Sequence, residues 1–195
     1  MQKDNMFTSK QQNHLLALAR KSLNHYFTTG DVLFIDESLV DADLTQKRGT
    51  FVTLTKNGEL RGCIGHIEPA QEIYKDIIEN ALSAGLEDNR FVPVRQEELS
   101  ELKIEISILT EPEKLIYNSP EDLLNKLRPL VDGVIIEKGR QGATYLPQVW
   151  EGWEGKNVKA EFLSSLCQKA GLPEDEWRTG SLKVCIYQAE VFGKK

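Results

Sequence analysis

What this chain has little of narrows its class before any motif is read. Its three cysteines, Cys63, Cys167 and Cys185, are far apart and odd in number, so no disulfide framework is expected and a reducing compartment suits it. No apolar run approaches the roughly 20 residues that span a bilayer. The N-terminus lacks the basic-then-apolar pattern of a secretory signal. These absences lead to the expectation of a cytoplasmic protein with no membrane attachment. Positive charge is not in excess either. The formal net charge is −6, with acids and bases interspersed, which counts against a broad basic nucleic-acid surface and leaves room only for a local groove. A Gly-rich phosphate loop, a Ser nucleophile elbow, a His-Glu-x-x-His helix and the clustered cysteines of an iron–sulfur site are all missing.

What is present suits one domain over residues 8–192, with room for a smaller second lobe. Ser9 followed by Gln12 reads as a capping box. Leu15, Leu18, Ala19, Leu23, Tyr26 and Phe27 then form an apolar stripe that Gly30 ends. Residues 31–49 read as a mostly irregular connection carrying a short apolar patch at 32–35. Pro69 is placed for the first turn of a second helix, whose stripe is Ile73, Ile77, Ile78, Ala81 and Leu82, with Gly85 near its end. Leu102, Ile104, Ile106 and Ile108 alternate with polar residues as in a half-buried strand. Ser119 and Pro120 open a short helix. Residues 134–137 and 143–146 read as strands joined by a loop over 138–142. A helix around Phe162, Leu163, Leu166, Cys167 and Ala170 closes at Gly171 and Pro173, and Leu182, Val184 and Ile186 alternate in a last strand. The pattern predicts an α+β fold, with a mixed, mostly antiparallel sheet and flanking helices.

The most informative stretch is Leu60-Arg61-Gly62-Cys63-Ile64-Gly65-His66. It follows Asn57-Gly58, a strong signal for a two-residue hairpin turn because both positions need φ > 0. A regular hairpin opposes Lys56 to Glu59, Leu54 to Arg61 and Val52 to Cys63. Arg61 and Cys63 then share one face, and Leu60, Gly62 and Ile64 share the other with Phe51. A permanent cation beside a thiol marks a candidate reactive or ligand-binding spot.

Several segments together resemble the AMMECR family, specifically its bacterial branch, the AmmeMemoRadiSam system protein A. They are Leu60-Arg61-Gly62-Cys63-Ile64-Gly65, Asp88-Asn89-Arg90-Phe91, Glu105-Ile106-Ser107-Ile108-Leu109-Thr110, Leu127-Arg128-Pro129, Asp132-Gly133-Val134, the run from Ala143 through Tyr145 and Gln148 to Trp150, Phe162-Leu163 and Lys169-Ala170-Gly171-Leu172. Two departures stand out: His66 replaces a small residue such as Thr, and Gly85 replaces an Ala. The resemblance implies a two-lobed α+β fold and association with a Memo-like protein of dioxygenase-like fold and a radical SAM enzyme. It also implies a place in a pathway that modifies some molecule, an RNA base among the candidates. Without an iron–sulfur motif the chain is not expected to be the radical enzyme itself.

Each candidate residue has a functional and a structural reading. Cys63 is a nucleophile if Arg61 favours its thiolate, or else a small packed residue. Arg61 clamps a phosphate or carboxylate, or pairs with Glu105 or Asp88. Glu105 is a general base beside Cys63, or a solvated strand residue. Gly62 and Gly65 let a ligand or another backbone approach. His66 lines the pocket mouth or is exposed. Its spacing from Cys63 suits a metal, but further ligands are not at hand, and no metal site is expected. Asp88 and Arg90 lie at a pocket rim or close a loop as a charge pair. Tyr145 and Gln148 stack on and hydrogen-bond a planar ligand, or pack in a core with Trp150. The residues name no cofactor. The leading expectation is a pathway component that holds a small anionic or nucleotide-like ligand around the Arg61–Cys63 hairpin. The alternatives are a non-catalytic adaptor for the two partners, or an RNA-binding module using Lys138, Arg140 and Tyr145.

Overall fold

The computed structural model describes residues 6–193. In chain order its regular elements are α1 (Ser9–Thr29), β1 (Thr50–Lys56), β2 (Glu59–His66), α2 (Ile73–Leu86), β3 (Leu102–Leu109), β4 (Glu113–Lys114), α3 (Pro120–Lys126), β5 (Gly133–Lys138), β6 (Gln141–Tyr145), α4 (Val158–Lys169), β7 (Lys183–Tyr187) and β8 (Ala189–Gly193). The fold is α+β. It has two four-stranded sheets, ordered β2-β1-β3-β8 and β4-β7-β5-β6, and antiparallel ladders join β1 to β2 and β3, β5 to β6 and β7, and β4 to β7. The chain divides into two compact units, one of Thr110–Ala189 and the other of the remaining described residues. No helix among the described residues is long and apolar enough to cross a membrane.

In the first unit, α1 and α2 pack together over one face of the β2-β1-β3-β8 sheet. Leu15, Ala19 and Leu23 of α1 and Ile73, Ile77 and Ala81 of α2 meet Val52, Leu54, Ile104, Ile106 and Ile108. Each of the Leu, Ile and Val side chains contributes about 1.5–3 kcal/mol of transfer free energy when fully buried. The N-cap of α1 is one residue earlier than expected. Thr8 Oγ1 accepts from Gln11 N, and Gln11 Oε1 accepts from Thr8 N. Both Thr8/Gln11 and Ser9/Gln12 fit the capping-box spacing, and burial of Phe7 in the core fixes the choice. Gly30 closes the helix at φ 83, its N–H donating to the Tyr26 carbonyl. Pro69 does not open α2. The helix begins at Ile73, whose N–H donates to the Gln46 carbonyl, a tertiary contact that local sequence does not reveal.

In the second unit, Ser119 caps α3 with Pro120 at its first position, as expected. Lys138 pairs directly with Gln141, so a tight turn at Gly139-Arg140 replaces the longer loop predicted there. Trp150 stacks on Phe162 with ring centroids 3.5 Å apart. Leu123, Val134, Ile136, Leu163, Leu166 and Val184 complete that core. The near-buried Glu176 carboxylate accepts from Lys138 Nζ at 2.5 Å and from the Ser181 and Thr179 hydroxyls. These donors hold it down to about 2, Lys138 foremost.

Candidate functional site

The β1–β2 hairpin turns at Asn57 (φ 54) and Gly58 (φ 87), as the dipeptide requires. Its ladder is not regular. Leu60 opposes Thr55 and Gly62 opposes Leu54, with a register shift between Leu54 and Thr55. Arg61 is the extra residue of a β-bulge. This corrects the expected pairs. Cys63 opposes Thr53 rather than Val52, and Phe51 opposes Gly65. Phe51 thus shares the face of Cys63, and Gly62 and Ile64 share the helix-covered face with Val52 and Leu54.

The bulge also separates Arg61 from Cys63 functionally. Arg61 Nε and Nη2 donate to the two oxygens of Glu98 at 3.2 and 3.0 Å, and Nη1 donates to the Val92 carbonyl at 2.9 Å. Its partner is therefore Glu98, and neither Glu105 nor Asp88. Arg61 first, then the Arg95 backbone N–H and Lys56, hold the Glu98 carboxyl down to about 2. This charge cluster borders a surface cleft of about 670 Å³ that also touches Phe91 and Val92.

On the sheet face away from the helices, Cys63, Thr53 and Glu105 form one row across three strands. Thr53 Oγ1 donates to Cys63 Sγ at 3.2 Å. With strands about 4.8 Å apart, Glu105 stands about 9–10 Å from Cys63 across the ladder, and Thr53 lies between them. The outer edge of β2 is clipped by Asp88, whose Oδ2 accepts from the Cys63 N–H at 2.8 Å. Arg90 grips the same carboxylate through Nε and Nη2 at 2.9 and 2.6 Å. Asp88 is buried, and the Arg90 guanidinium holds its carboxyl well below the usual range. Burial pushes the half-buried Cys63 thiol up, with Asp88 and Glu105 adding to the effect. The Thr53 hydrogen bond and Arg90 only partly oppose it. Arg61 supplies none of the activation expected of it.

The two glycines are explained by packing. A Cβ on Gly62 would stand 1.9 Å from the Ala84 carbonyl oxygen of α2, and one on Gly65 would stand 2.1 Å from the Thr50 carbonyl oxygen. His66 opposes Thr50 at the end of the hairpin, on the helix-covered side, and not beside Cys63. Its Nδ1 lies 3.3 Å from Oδ1 of the buried Asp76. Asp76 Oδ2 also accepts from Thr50 Oγ1 at 2.6 Å and Asn80 Nδ2 at 3.0 Å. Asp76 and Asn80 escaped the sequence reading, although two polar residues four apart on an otherwise apolar stripe are a legible signal. Thr53 was missed through the register error. Glu98, in a 3-10 turn, carries no local signal at all.

Tyr145 and Gln148 lie in the second unit. Tyr145 stands edge-on to Phe162 at 5.3 Å, its hydroxyl 3.0 Å from Ser165 Oγ, with Lys169 Nζ 4.7 Å from the ring centroid. Gln148 is half-buried in the 3-10 turn Pro147–Gly152. Among the described residues no group of three or more His, Cys, Asp or Glu side chains is arranged to hold a metal ion.

The sequence profile of the AMMECR1 family matches residues 16–192. Protein MK0488 of Methanopyrus kandleri is 40% identical over 190 residues, spanning 95% of this chain and 89% of that protein. A protein of Methanothermobacter thermautotrophicus is 41% identical over 181 residues, 91% of each chain. The crystal structure of an uncharacterized protein, PH0010 from Pyrococcus horikoshii, superposes with a TM-score of 0.87 at 35% identity, covering 97% of this chain and 94% of that one.

Proposed function

This chain belongs to the AMMECR1 family, and on that premise we propose that it is a cytoplasmic component of a modification pathway, acting beside a Memo-like protein and a radical SAM enzyme, that holds a small nucleotide-like ligand on the face of its first sheet away from α1 and α2. The observation that carries the ligand role is the row Cys63–Thr53–Glu105. A thiol, a hydroxyl and a carboxylate aligned at ladder spacing offer donors and acceptors at fixed intervals to a planar polar molecule. Glu105 suits an amino or imino N–H, and the half-exposed Arg90 at the edge of β2 suits a phosphate. The raised Cys63 thiol favours a binding role over a resting nucleophile, because the thiolate is the attacking form. Glu105 does not reach the thiol directly, which weighs the same way.

The test is alkylation of Cys63 by iodoacetamide, followed by mass spectrometry across the neutral-to-alkaline range, with and without nucleoside monophosphates. Slow reaction at neutral pH, protection by at least one nucleotide, and loss of that protection in Glu105→Gln at unchanged melting temperature are expected. Rapid thiolate-like reaction at neutral pH would reverse the binding assignment, and absence of protection by every nucleotide would remove the ligand. Co-expression with the two partner proteins, followed by size-exclusion chromatography, tests the pathway assignment separately.

A further inference from the structure

Residues 32–35, Val-Leu-Phe-Ile, follow α1 and lie away from the Cys63 row, on the outer side of α1 and α2. Burial alternates along them. Leu33 is buried and Ile35 half-buried, packed with Leu18, Tyr74 and Ile78. Val32 and Phe34 are 56% and 85% exposed. Such alternation is the pattern of an extended chain with one face on a core. Yet the segment belongs to neither sheet, and among the described residues no hydrogen bond engages the backbone of Leu33, Phe34 or Ile35. Scattered exposed apolar side chains are ordinary. Two of them on a backbone edge with unused donors and acceptors are the arrangement to which an added strand pairs.

The surroundings specify what would add. A cleft of about 290 Å³ runs between the segment and α2, lined by Phe34, Tyr74, Ile78, Lys75 and Glu79 among others. Its volume is enough for one aliphatic side chain. Asp31 and Asp36 bracket the segment in sequence, both exposed. Asp36 is held below the usual carboxylate range by the Ser38 hydroxyl and N–H. The lysine of the cleft, Lys75, is already engaged by Glu72 at 3.1 Å and Glu37 at 3.7 Å. The rim is therefore acidic around an apolar ridge.

We propose that residues 32–35 are a docking strand for an extended segment of a partner protein, one that alternates aliphatic with Lys or Arg residues. Backbone pairing at Leu33–Ile35 supplies the register, an aliphatic side chain enters the cleft beside Phe34, and cations meet Asp31, Asp36 and Glu79. This surface is independent of the Cys63 row and of the ligand proposed there.

A fluorescein-labelled peptide, Lys-Val-Thr-Val-Lys-Leu-Lys, tests the proposal by fluorescence polarisation against the full chain, with its Lys-to-Glu counterpart as control. Saturable binding of the basic peptide is expected, weakened about tenfold or more by Phe34→Ser as for an anchoring aromatic. It should weaken as salt rises, and the acidic peptide should not bind. Hydrogen exchange at the amides of Leu33, Phe34 and Ile35 should slow on binding. Phe34 is exposed, so Phe34→Ser is expected to keep the wild-type melting temperature. Failure of the basic peptide to bind, equal binding of the acidic one, or indifference to Phe34→Ser overturns the proposal. Phe34-dependent dimerisation without peptide, or Phe34-dependent binding to phosphatidylcholine vesicles, would give the ridge to a second copy or a lipid surface and overturn it equally.

Discussion

At Leu130 the backbone takes φ 63 in a side chain that is 58% exposed. The left-handed region costs a branched or bulky L-residue roughly 1–2 kcal/mol, and a residue stays there only when its surroundings insist. Here they do. Two residues on, the fully buried Asp132 accepts from the Arg128 backbone N–H at 2.9 Å and from Arg128 Nη2 at 2.6 Å, and Asp132's own carbonyl accepts from Trp150 Nε1 at 2.7 Å. The turn is pinned at both ends, and Leu130 absorbs the strain. Leu130→Gly removes that strain and little buried surface. It is expected to stabilise the second unit by about 1 kcal/mol after the entropy that glycine adds to the unfolded chain. Urea unfolding measures it, and a loss of stability would mean that the leucine side chain does more packing than its exposure suggests. Cys63 shows the opposite kind of residue-scale outcome. Its neighbours in sequence promised activation by Arg61, and the bulge sends that cation to Glu98 instead.

At the scale of elements, the hairpin separates what local sequence encodes from what it does not. Asn57-Gly58 specified the turn, alternation specified β3, and Ser119-Pro120 specified the start of α3, because each depends on residues within a few positions. The bulge at Arg61 depends on a carboxylate 37 residues away, so the register, and with it the place of Thr53 in the site, was not readable. The start of α2 depends on the Gln46 carbonyl. The strand β8 is five residues long and finds its neighbour, β3, about 80 residues upstream, a pairing that no window on the sequence contains. The glycines of the hairpin were legible as sites of close approach, but not as to what approaches. The structure makes that choice testable. A Cβ on Gly62 would meet the Ala84 carbonyl oxygen at 1.9 Å, whereas one on Gly152 would meet nothing within 4 Å. Gly62→Ala is expected to cost about 3 kcal/mol by forcing α2 off the sheet, and Gly152→Ala to be near neutral. Chemical denaturation of the two variants decides it. A tolerated Gly62→Ala would show that α2 shifts freely and would return Gly62 to the list of candidate ligand contacts.

For the molecule as a whole, the response to acid draws on depressed carboxylates in both units, Glu98 and Asp88 in the first and Glu176 in the second. Glu98 in the first and Glu176 in the second are both held to about 2, by Arg61 and Lys138 foremost. A carboxyl whose folded value is depressed contributes stability that is fully present above its unfolded value, near 4.3. That contribution is lost as pH falls toward the folded value. Both units are therefore expected to weaken over the same interval, from about pH 4.5 down to about 2. The two losses can be read apart. All three tryptophans, Trp150, Trp153 and Trp177, lie in the second unit, so indole fluorescence follows that unit. Far-ultraviolet ellipticity is weighted toward the first, which holds the longer helices α1 and α2. Glu176→Gln is expected to lower stability at neutral pH and to flatten the acid dependence of the fluorescence transition. Glu98→Gln is expected to do the same to the ellipticity transition. Lysine and arginine stay charged throughout this interval, so an unchanged slope in either variant would mean that carboxylates other than the one replaced govern how that unit meets acid.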